Sequence, residues 1–509
     1  MTHGQSFDYI VVGSGATGCV VANRLSARPG TSVLVLEAGG LDTNPHIHDP
    51  GGFVQLWGSD IDWKFSTAEQ PAMNGRQILI NQGKVIGGST AINAMMYVRG
   101  NRRNYDHWSA LGNDGWSYDE VLPYFKKSED YEGGASEFHG VGGPLSVRDC
   151  PDPASRSEAF MVGATELGYN GPYWDTNGAR QENGAGLLQF TITKDGKRAS
   201  AAGAFLSPIL DRPNLTVKTQ AEVTRLLFEG RRVVGVEYMQ DGQRQQVNVE
   251  REVIVSAGAF LSPRLLMLSG IGPADHLRSH GITPIADLLG VGQNLQDHLQ
   301  LPVVYQSRVE RPMTTVLTGN VLFVRTQTDR GDAPPDLQLN FTPAVPAPLA
   351  PVLNLPVPVL IFLPILVQPD STGEVRLRSG NPQDPPIINP NYLQQDADVQ
   401  VFVQAVKLIR ELANTKAFAE FNGGELAPGP GTDLDGFIRT QTSTLWHPVG
   451  TCKMGRDAQA VVDPRLRVQG VEGVRVADAS VMPSIPSGNT VAACFMIGEK
   501  VADMILEDK

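Results

Sequence analysis

The hydrophobic pattern begins with an unbroken apolar run, Tyr9-Ile10-Val11-Val12, which passes directly into Gly13-Ser14-Gly15-Ala16-Thr17-Gly18 and a small-residue, apolar stretch. Consecutive β-branched residues predict a strand buried on both faces, and the segment after the glycines predicts a helix. Ser32-Val33-Leu34-Val35-Leu36 predicts a second buried strand, which ends in Glu37, 19 residues beyond Gly18. This is the strand–turn–helix–strand order of a dinucleotide fold. Gly13 permits the tight turn, Gly15 lets backbone approach a pyrophosphate, and Gly18 allows close helix–strand packing. The helix start at Ala16 and Thr17 offers free N–H groups to a diphosphate. Glu37, with Ala38 beside it, stands where a carboxylate accepts hydrogen bonds from an adenosine ribose. A nucleotide with a ribose diphosphate is expected here, and at this point NAD and FAD remain equally open.

Regular βα alternation does not continue. A loop-rich region carrying Pro45, Pro50, Gly51, Gly52 and Gly58 leads to a second glycine cluster, Gly83-Lys84-Val85-Ile86-Gly87-Gly88-Ser89. Alternating runs at Leu215–Val217, Val223–Leu227, Val233–Tyr238 and Val247–Val249, with turn signals at Gly230 and Asp241-Gly242, predict an antiparallel meander. Glu252–Val255 reads as a separate buried strand returning to the central sheet. The Pro-rich segment 306–430 mixes strands with a helix near 398–412. The chain closes with a strand at Val474–Ala477 and a helix from about 490. The expected fold is α/β: a Rossmann-like nucleotide domain with a β-meander, plus a second domain of mainly antiparallel sheet covered by helices. The expected domains are 1–150, 214–305 and 436–509 for the nucleotide, and 151–213 and 306–435 for the substrate.

Residues 341–368 include the most apolar stretch, Leu353 to Val367. Pro351, Pro356, Pro358 and Pro364 oppose a spanning helix. A buried strand after an irregular loop is the simplest reading. An apolar pocket wall, or a weak monotopic membrane contact through 351–367, is the sharper one.

Composition narrows the class. At 509 residues, more than one domain is expected. A net charge of -12 with no Lys/Arg-rich block argues against nucleic acid as a partner. Cys19, Cys150, Cys452 and Cys494 are widely separated, which fits a reduced, cytoplasmic setting and excludes a zinc ribbon. The first residues lack the basic and apolar regions of a signal peptide.

Four further blocks point one way. Gly83 to Asn93, followed by Tyr97, Gly100 and Asp106, resembles the first signature of the glucose–methanol–choline (GMC) oxidoreductases. Gly258-Ala259-Phe260-Leu261-Ser262-Pro263, running to Gly272, resembles the second. Val291-Gly292-Gln293-Asn294-Leu295-Gln296-Asp297-His298 is similar to a further hallmark. Trp446-His447-Pro448-Val449-Gly450-Thr451, Ala477-Asp478-Ala479-Ser480 and Pro486-Ser487-Gly488-Asn489-Thr490 resemble the C-terminal catalytic region, choline dehydrogenase-like or alcohol oxidase-like in branch.

The resemblance implies FAD rather than NAD. It implies that Gly83, Gly88 and Ser89 approach the cofactor from a second side, that Asn93, Ala94 and Met95 sit beside its ring, and that Val223 meets adenine through backbone. It implies further that Asp478, with Ala479 and Thr490 nearby, meets the ribityl or pyrophosphate region. Some members attach FAD covalently through a histidine in the first block. Here Ile92-Asn93 stands in that region, so FAD is expected to be non-covalent.

Oxidising an alcohol requires a base for the hydroxyl proton, and imidazole suits that role near neutrality. Among nine histidines, His3 lies in a terminal tail, His276 and His280 lie on a polar segment, and His298 reads as structural. His447 matches the family's catalytic histidine, and Asn489 matches its partner position; helix N-capping is the bland alternative for Asn489. The expected activity is oxidation of a primary aliphatic or aromatic alcohol to the aldehyde, with oxygen or another acceptor taking the electrons. A lyase or flavin photoenzyme on the same fold, or an inactive flavin-binding protein, are the alternatives. Choline is disfavoured because the 341–368 stretch offers Phe341 and Phe362 but little acidity.

Overall fold

The structure, a computed structural model, describes residues 6–327, 331–347, 349–350 and 357–508. The predicted start forms as read. Strand β1 (Ser6–Val12) places Ile10 and Val11 wholly out of solvent, and β2 (Val33–Leu36) is buried along its length. Gly13 turns the chain at φ +95° into helix α1 (Ala16–Ser26). A Cβ on Gly18 would stand 2.0 Å from Gly13 O, so only glycine lets the helix approach the turn.

Among the described residues one sheet has seven strands, in the order β3-β2-β1-β6-β5-β4, with Val474–Val476 also paired to β6. Here β3 is Leu215–Lys218, β4 Glu222–Glu229, β5 Arg232–Gln240 and β6 Gln243–Val255. Two expectations are corrected. Leu215–Val217 does not belong to the meander, because β3 runs parallel to β2 at the sheet's other edge. The runs at 247–249 and 252–255 are one strand: β6 is antiparallel to β5 in its first half and parallel to β1 in its second. Helices α1 and α5 (Val491–Glu507) pack together on this sheet, with Gly498 against Val20.

The second sheet has eight strands among the described residues. Its path is β11-β7-β10-β9-β8, then Ala185–Leu187. The strands are β7 (Val303–Ser307), β8 (Asn320–Val324), β9 (Leu337–Thr342), β10 (Val359–Leu366) and β11 (Asn422–Ala427), paired antiparallel. Pro364 sits where the partner of β10 changes from β7 to Leu299–Gln300, which also pairs Ser443–Thr444. The predicted helix is α4 (Asp396–Ala413), whose buried Val399, Phe402, Val406 and Ile409 share a core with Phe341 and Phe362.

Residues 299–307 and 443–444 join the second sheet, while Ala199–Leu206 pack into the first core. Of the apolar stretch, 351–356 lie outside the described residues, and β10 is enclosed between β7 and β9. No helix among the described residues is long and apolar enough to cross a membrane.

Candidate active site

A cavity of about 1860 Å³, its open mouth included, lies beyond the carboxyl ends of β1 and β2. That is where open α/β sheets take nucleotides. Gly13, Gly15, Ala16, Thr17, Glu37, Ala38, Gly83, Gly88, Ser89, Asn93, Ala94, Met95, Val223, Asp478, Ala479 and Thr490 all line it, as do His447 and Asn489. Gly18 does not. It packs behind the turn against Gly13, so its part is to shape the cradle rather than to touch a ligand.

At the glycine end the backbones of two loops nearly touch: a Cβ on Gly88 would stand 2.8 Å from Gly15 Cα. The Gly87 N–H donates to Ser14 O at 2.9 Å, which locks the loops together. Nothing lies within 4 Å of where a Gly15 Cβ would be, so a side chain there would project into the cavity. Cys19 is the first α1 residue whose N–H bonds back, to Gly15 O, so the N–H groups before it are left for an anion. Helix α5 also opens here, at Thr490 and Val491, bringing a second positive helix pole to the same cavity.

The two acidic residues behave differently. Glu37 Oε2 accepts from Ser14 N and Oγ at 2.9 and 2.8 Å, while Oε1 accepts only from Gly39 N at 2.8 Å. One acceptor site is therefore left for a ribose hydroxyl. Asp478 has none: Ser480 N and Oγ fill Oδ1, and Gly258 N and Ser262 Oγ fill Oδ2. Its side chain clamps the start of helix α3 (Gly258–Leu268) to the 478–480 turn, so Asp478 lines the cavity with both carboxylate oxygens already engaged. Burial pushes both carboxyls above their usual range.

The other end is built around His447. Trp446, held at φ +62°, precedes it and donates its N–H to Thr444 Oγ at 2.7 Å. Buried Asp297 accepts the His447 N–H at 2.7 Å, Thr444 Oγ at 2.6 Å and Tyr392 Oη at 2.5 Å. Burial raises the Asp297 carboxyl to about 6, against those stabilising hydrogen bonds. The His447 backbone is thus fixed from both sides.

The ring is fixed by a chain of partners. His298 Nε2 lies 3.2 Å from Val367 O, His298 Nδ1 lies 3.0 Å from His447 Nδ1, and His447 Nε2 lies 3.3 Å from Asn489 Nδ2. A carbonyl can only accept, so His298 carries its hydrogen on Nε2. Burial, and His447 after it, hold His298 well below its ordinary pKa and therefore neutral, leaving a lone pair on Nδ1. His447 Nδ1 then donates, and its Nε2 presents a lone pair to Asn489 and the cavity. Burial lowers His447 to about 3. The side chain keeps some surface on the cavity while sitting deep in the molecule.

Asn489 does not cap α5, whose N-cap is Thr490. Its Oδ1 is buried without a partner, an acceptor aimed at no protein group. Sequence reasoning missed three supports. Arg198, buried and lowered to about 9 by that burial, donates through Nη1 to Asn93 O and Oδ1 at 2.6 and 2.7 Å. Asp297 and His298 sit in a motif that was visible, but their partners lie 150 and 149 residues away. On the polar segment, His276 Nε2 accepts from Leu377 N at 3.1 Å. His3 lies outside the described residues.

The wall near His447 is aromatic: Trp57 and Trp446 lie 4.7 Å apart, and Trp63, Phe65 and Phe260 form a continuous series. No described residue of 341–368 lines the cavity, which corrects the pocket-wall reading. That strand contributes Val367 O to His298 instead.

Two family models, both described as GMC oxidoreductase, match residues 7–300 and 369–498. The mitochondrial choline dehydrogenase of Mus musculus is 40% identical, covering 99% of this chain and 91% of that protein. An acceptor-linked alcohol dehydrogenase of Pseudomonas putida is 39% identical, covering 98% and 96%. The crystal structure of pyridoxine 4-oxidase from Mesorbium loti superposes with a TM-score of 0.91 at 32% identity, covering 99% of this chain and all of that one.

Proposed function

Since the chain belongs to the GMC oxidoreductase family and is an FAD enzyme acting on alcohol CH–OH groups, we propose that it oxidises a primary aliphatic or aromatic alcohol to the aldehyde, with His447 as the base. The residues present fit FAD: a side-chain-free approach at Gly15 and Gly88, unpaired N–H groups at two helix starts, and one open acceptor on Glu37. Bound there, FAD supplies the acceptor for the hydride that leaves the carbinol carbon.

The observation that carries the reading is the ordered chain Val367 O, His298, His447, Asn489. It leaves His447 Nε2 unprotonated and facing the cavity, ready to take the hydroxyl proton. Asn489 Nδ2 can donate to the substrate oxygen, and its unpartnered Oδ1 is free to accept from a ligand. Aromatic side chains keep water from the reacting carbon and favour an apolar substituent. Of the lining carboxylates, Glu37 keeps its one open acceptor for the ribose, Asp478 has both oxygens filled, and Glu222 pairs with Arg264 at 3.4 Å. None is left to balance a quaternary ammonium, which supports an uncharged alcohol over choline.

Non-covalent attachment is part of the proposal, since His447 is the histidine among the lining residues and it is committed elsewhere. The test is anaerobic flavin reduction by a panel of alcohols, with His447→Ala beside the wild type. The variant should reduce its flavin about 10² to 10⁴ times more slowly while still holding FAD. Near-normal reduction by the variant would end the assignment. Admitting oxygen and measuring peroxide then separates oxidase from dehydrogenase.

A further inference from the structure

Behind the loop that carries Asn93 lies the buried guanidinium of Arg198, whose residue is 5% exposed. It enters from the segment 198–201, which is tied to the loop by Ala201 N donating to Thr90 Oγ1 at 2.8 Å. Arg198 Nε donates to Ile47 O, in the short helix α2 (Pro45–His48), at 2.6 Å. Its Nη1 donates to Thr90 O at 3.2 Å and to Asn93 O and Oδ1 at 2.6 and 2.7 Å. We infer that Arg198 is a positioning residue: it turns the Asn93 amide nitrogen toward the cavity and sets a positive charge behind it, so that bound FAD is held more tightly reduced than oxidised. The inference rests on the reading that the flavin ring lies at the His447 end of the cavity, beside Asn93.

The first observation is charge. Every atom that accepts from Arg198 is a neutral amide oxygen, and its Nη2 is buried with no partner. Among the described residues it makes no ion pair, and the carboxylate whose charge reaches it, Asp49, is exposed. Burial lowers the guanidinium only to about 9, so it stays charged at pH 7. A buried cation without a counter-ion is costly, and negative charge arriving nearby relieves that cost. Away from water the attraction is also larger.

The second is the orientation of Asn93. Its Oδ1 accepts from Arg198 Nη1 and from Met95 N, the latter at 3.1 Å. Both partners can only donate, which fixes which end of the amide is the oxygen. Nδ2 is left without a protein partner among the described residues, on a side chain that lines the cavity. An amide whose oxygen is held by a cation is polarised into a stronger donor at its nitrogen.

The third is place. Asn489 Nδ2 lies 4.0 Å from Met96 Sδ and 3.3 Å from His447 Nε2. The loop carrying Asn93 and the pair that would hold the alcohol therefore meet at one end of the cavity. A hydride acceptor must lie within reach of a carbinol held there. Negative charge builds up on the ring when a hydride is delivered to it, and a fixed donor backed by a cation favours that state over the oxidised one.

The test is the midpoint potential of the FAD-loaded protein, from titration with dithionite beside a reference dye. No alcohol is present, so the outcome is independent of substrate and of His447. Arg198→Gln should lower the equilibrium constant for reduction about 10- to 100-fold, which is about 30 to 60 mV for a two-electron couple. Arg198→Lys keeps the charge and should recover most of that shift. Asn93→Ala removes the donor, should also lower the potential, and covers failure of Arg198→Gln to fold. In the native protein the reduced flavin should stay anionic, by absorbance, at pH values where free reduced flavin is protonated. A wild-type potential in Arg198→Gln or Asn93→Ala overturns the inference, and slow bleaching of His447→Ala beside it shows the base assignment standing. Weaker FAD binding at an unchanged potential assigns the cation to the diphosphate and overturns it too. So does Arg198→Lys falling as far as Arg198→Gln, or native reduced flavin protonating where free flavin does.

Discussion

Replacing His298 by leucine tests whether the histidine chain sets the tautomer of His447. In the native protein His447 Nδ1 donates to His298 Nδ1 across 3.0 Å, inside a core where His298 has no exposed surface. Leucine leaves that N–H buried without an acceptor, which costs about 1–3 kcal/mol. His447 escapes part of the cost by moving its hydrogen to Nε2, where it faces Asn489 and can no longer act as base. The same 1–3 kcal/mol then sets the loss of the reactive tautomer, roughly 5- to 150-fold. The assay is stopped-flow flavin bleaching under anaerobic conditions at saturating alcohol. The limiting rate should fall by that factor with little change in the half-saturating concentration, because substrate meets His447 and not His298. His298→Gln retains an acceptor oxygen and should recover part of the rate. A leucine variant that binds FAD normally and bleaches at the wild-type rate would refute the tautomer reasoning. So would a glutamine variant no faster than leucine.

Gly15→Ala and Gly18→Ala should fail differently. Gly15→Ala meets no protein atom, so the variant should melt like the wild-type apoprotein but bind FAD much more weakly. Gly18→Ala forces a methyl onto Gly13 O and should destabilise the fold itself, both read by thermal melting with and without added FAD. Acid precipitation should leave the yellow colour in the supernatant, and colour in the pellet would disprove non-covalent binding. His447, lowered to about 3 from 6.5, binds its proton more readily when unfolded, so it costs stability as pH falls below 6.5. His447→Gln should therefore gain on the wild type by about 3 kcal/mol between pH 7 and 4 in urea melts. Asp297, raised to about 6, has the opposite sign: its contribution is present below 3.8 and lost as pH rises through 6. Asp297→Asn should accordingly gain on the wild type as pH rises over that window.

Local spacing made the nucleotide unit legible. Glycines at 13, 15 and 18 dictate a turn whatever the rest of the chain does, and Glu37 follows one helix and one strand later. Strand partners were less legible, because alternation shows which face is buried but not which neighbour buries it. Leu215–Val217 reads like part of the meander yet pairs with β2. The histidine chain was invisible for the same reason, since its bonds join residues far apart in sequence. The apolar run at 359–366 was read correctly as a buried strand, but its apolarity answers to the core shared with α4 rather than to substrate.

The pairing of α1 with α5 also dictates an order of events during synthesis. Cys19, Val20, Val21 and Ala22 have no exposed surface in the finished protein, and Val20 meets Gly498 of α5. At about 5–20 residues per second, a ribosome needs on the order of half a minute to a minute and a half to reach that partner. Throughout that interval the nucleotide helix has left the tunnel with one flank uncovered. The nascent chain therefore offers an apolar stripe to chaperones or to other chains, and FAD can find a complete cradle only once α5 has been made.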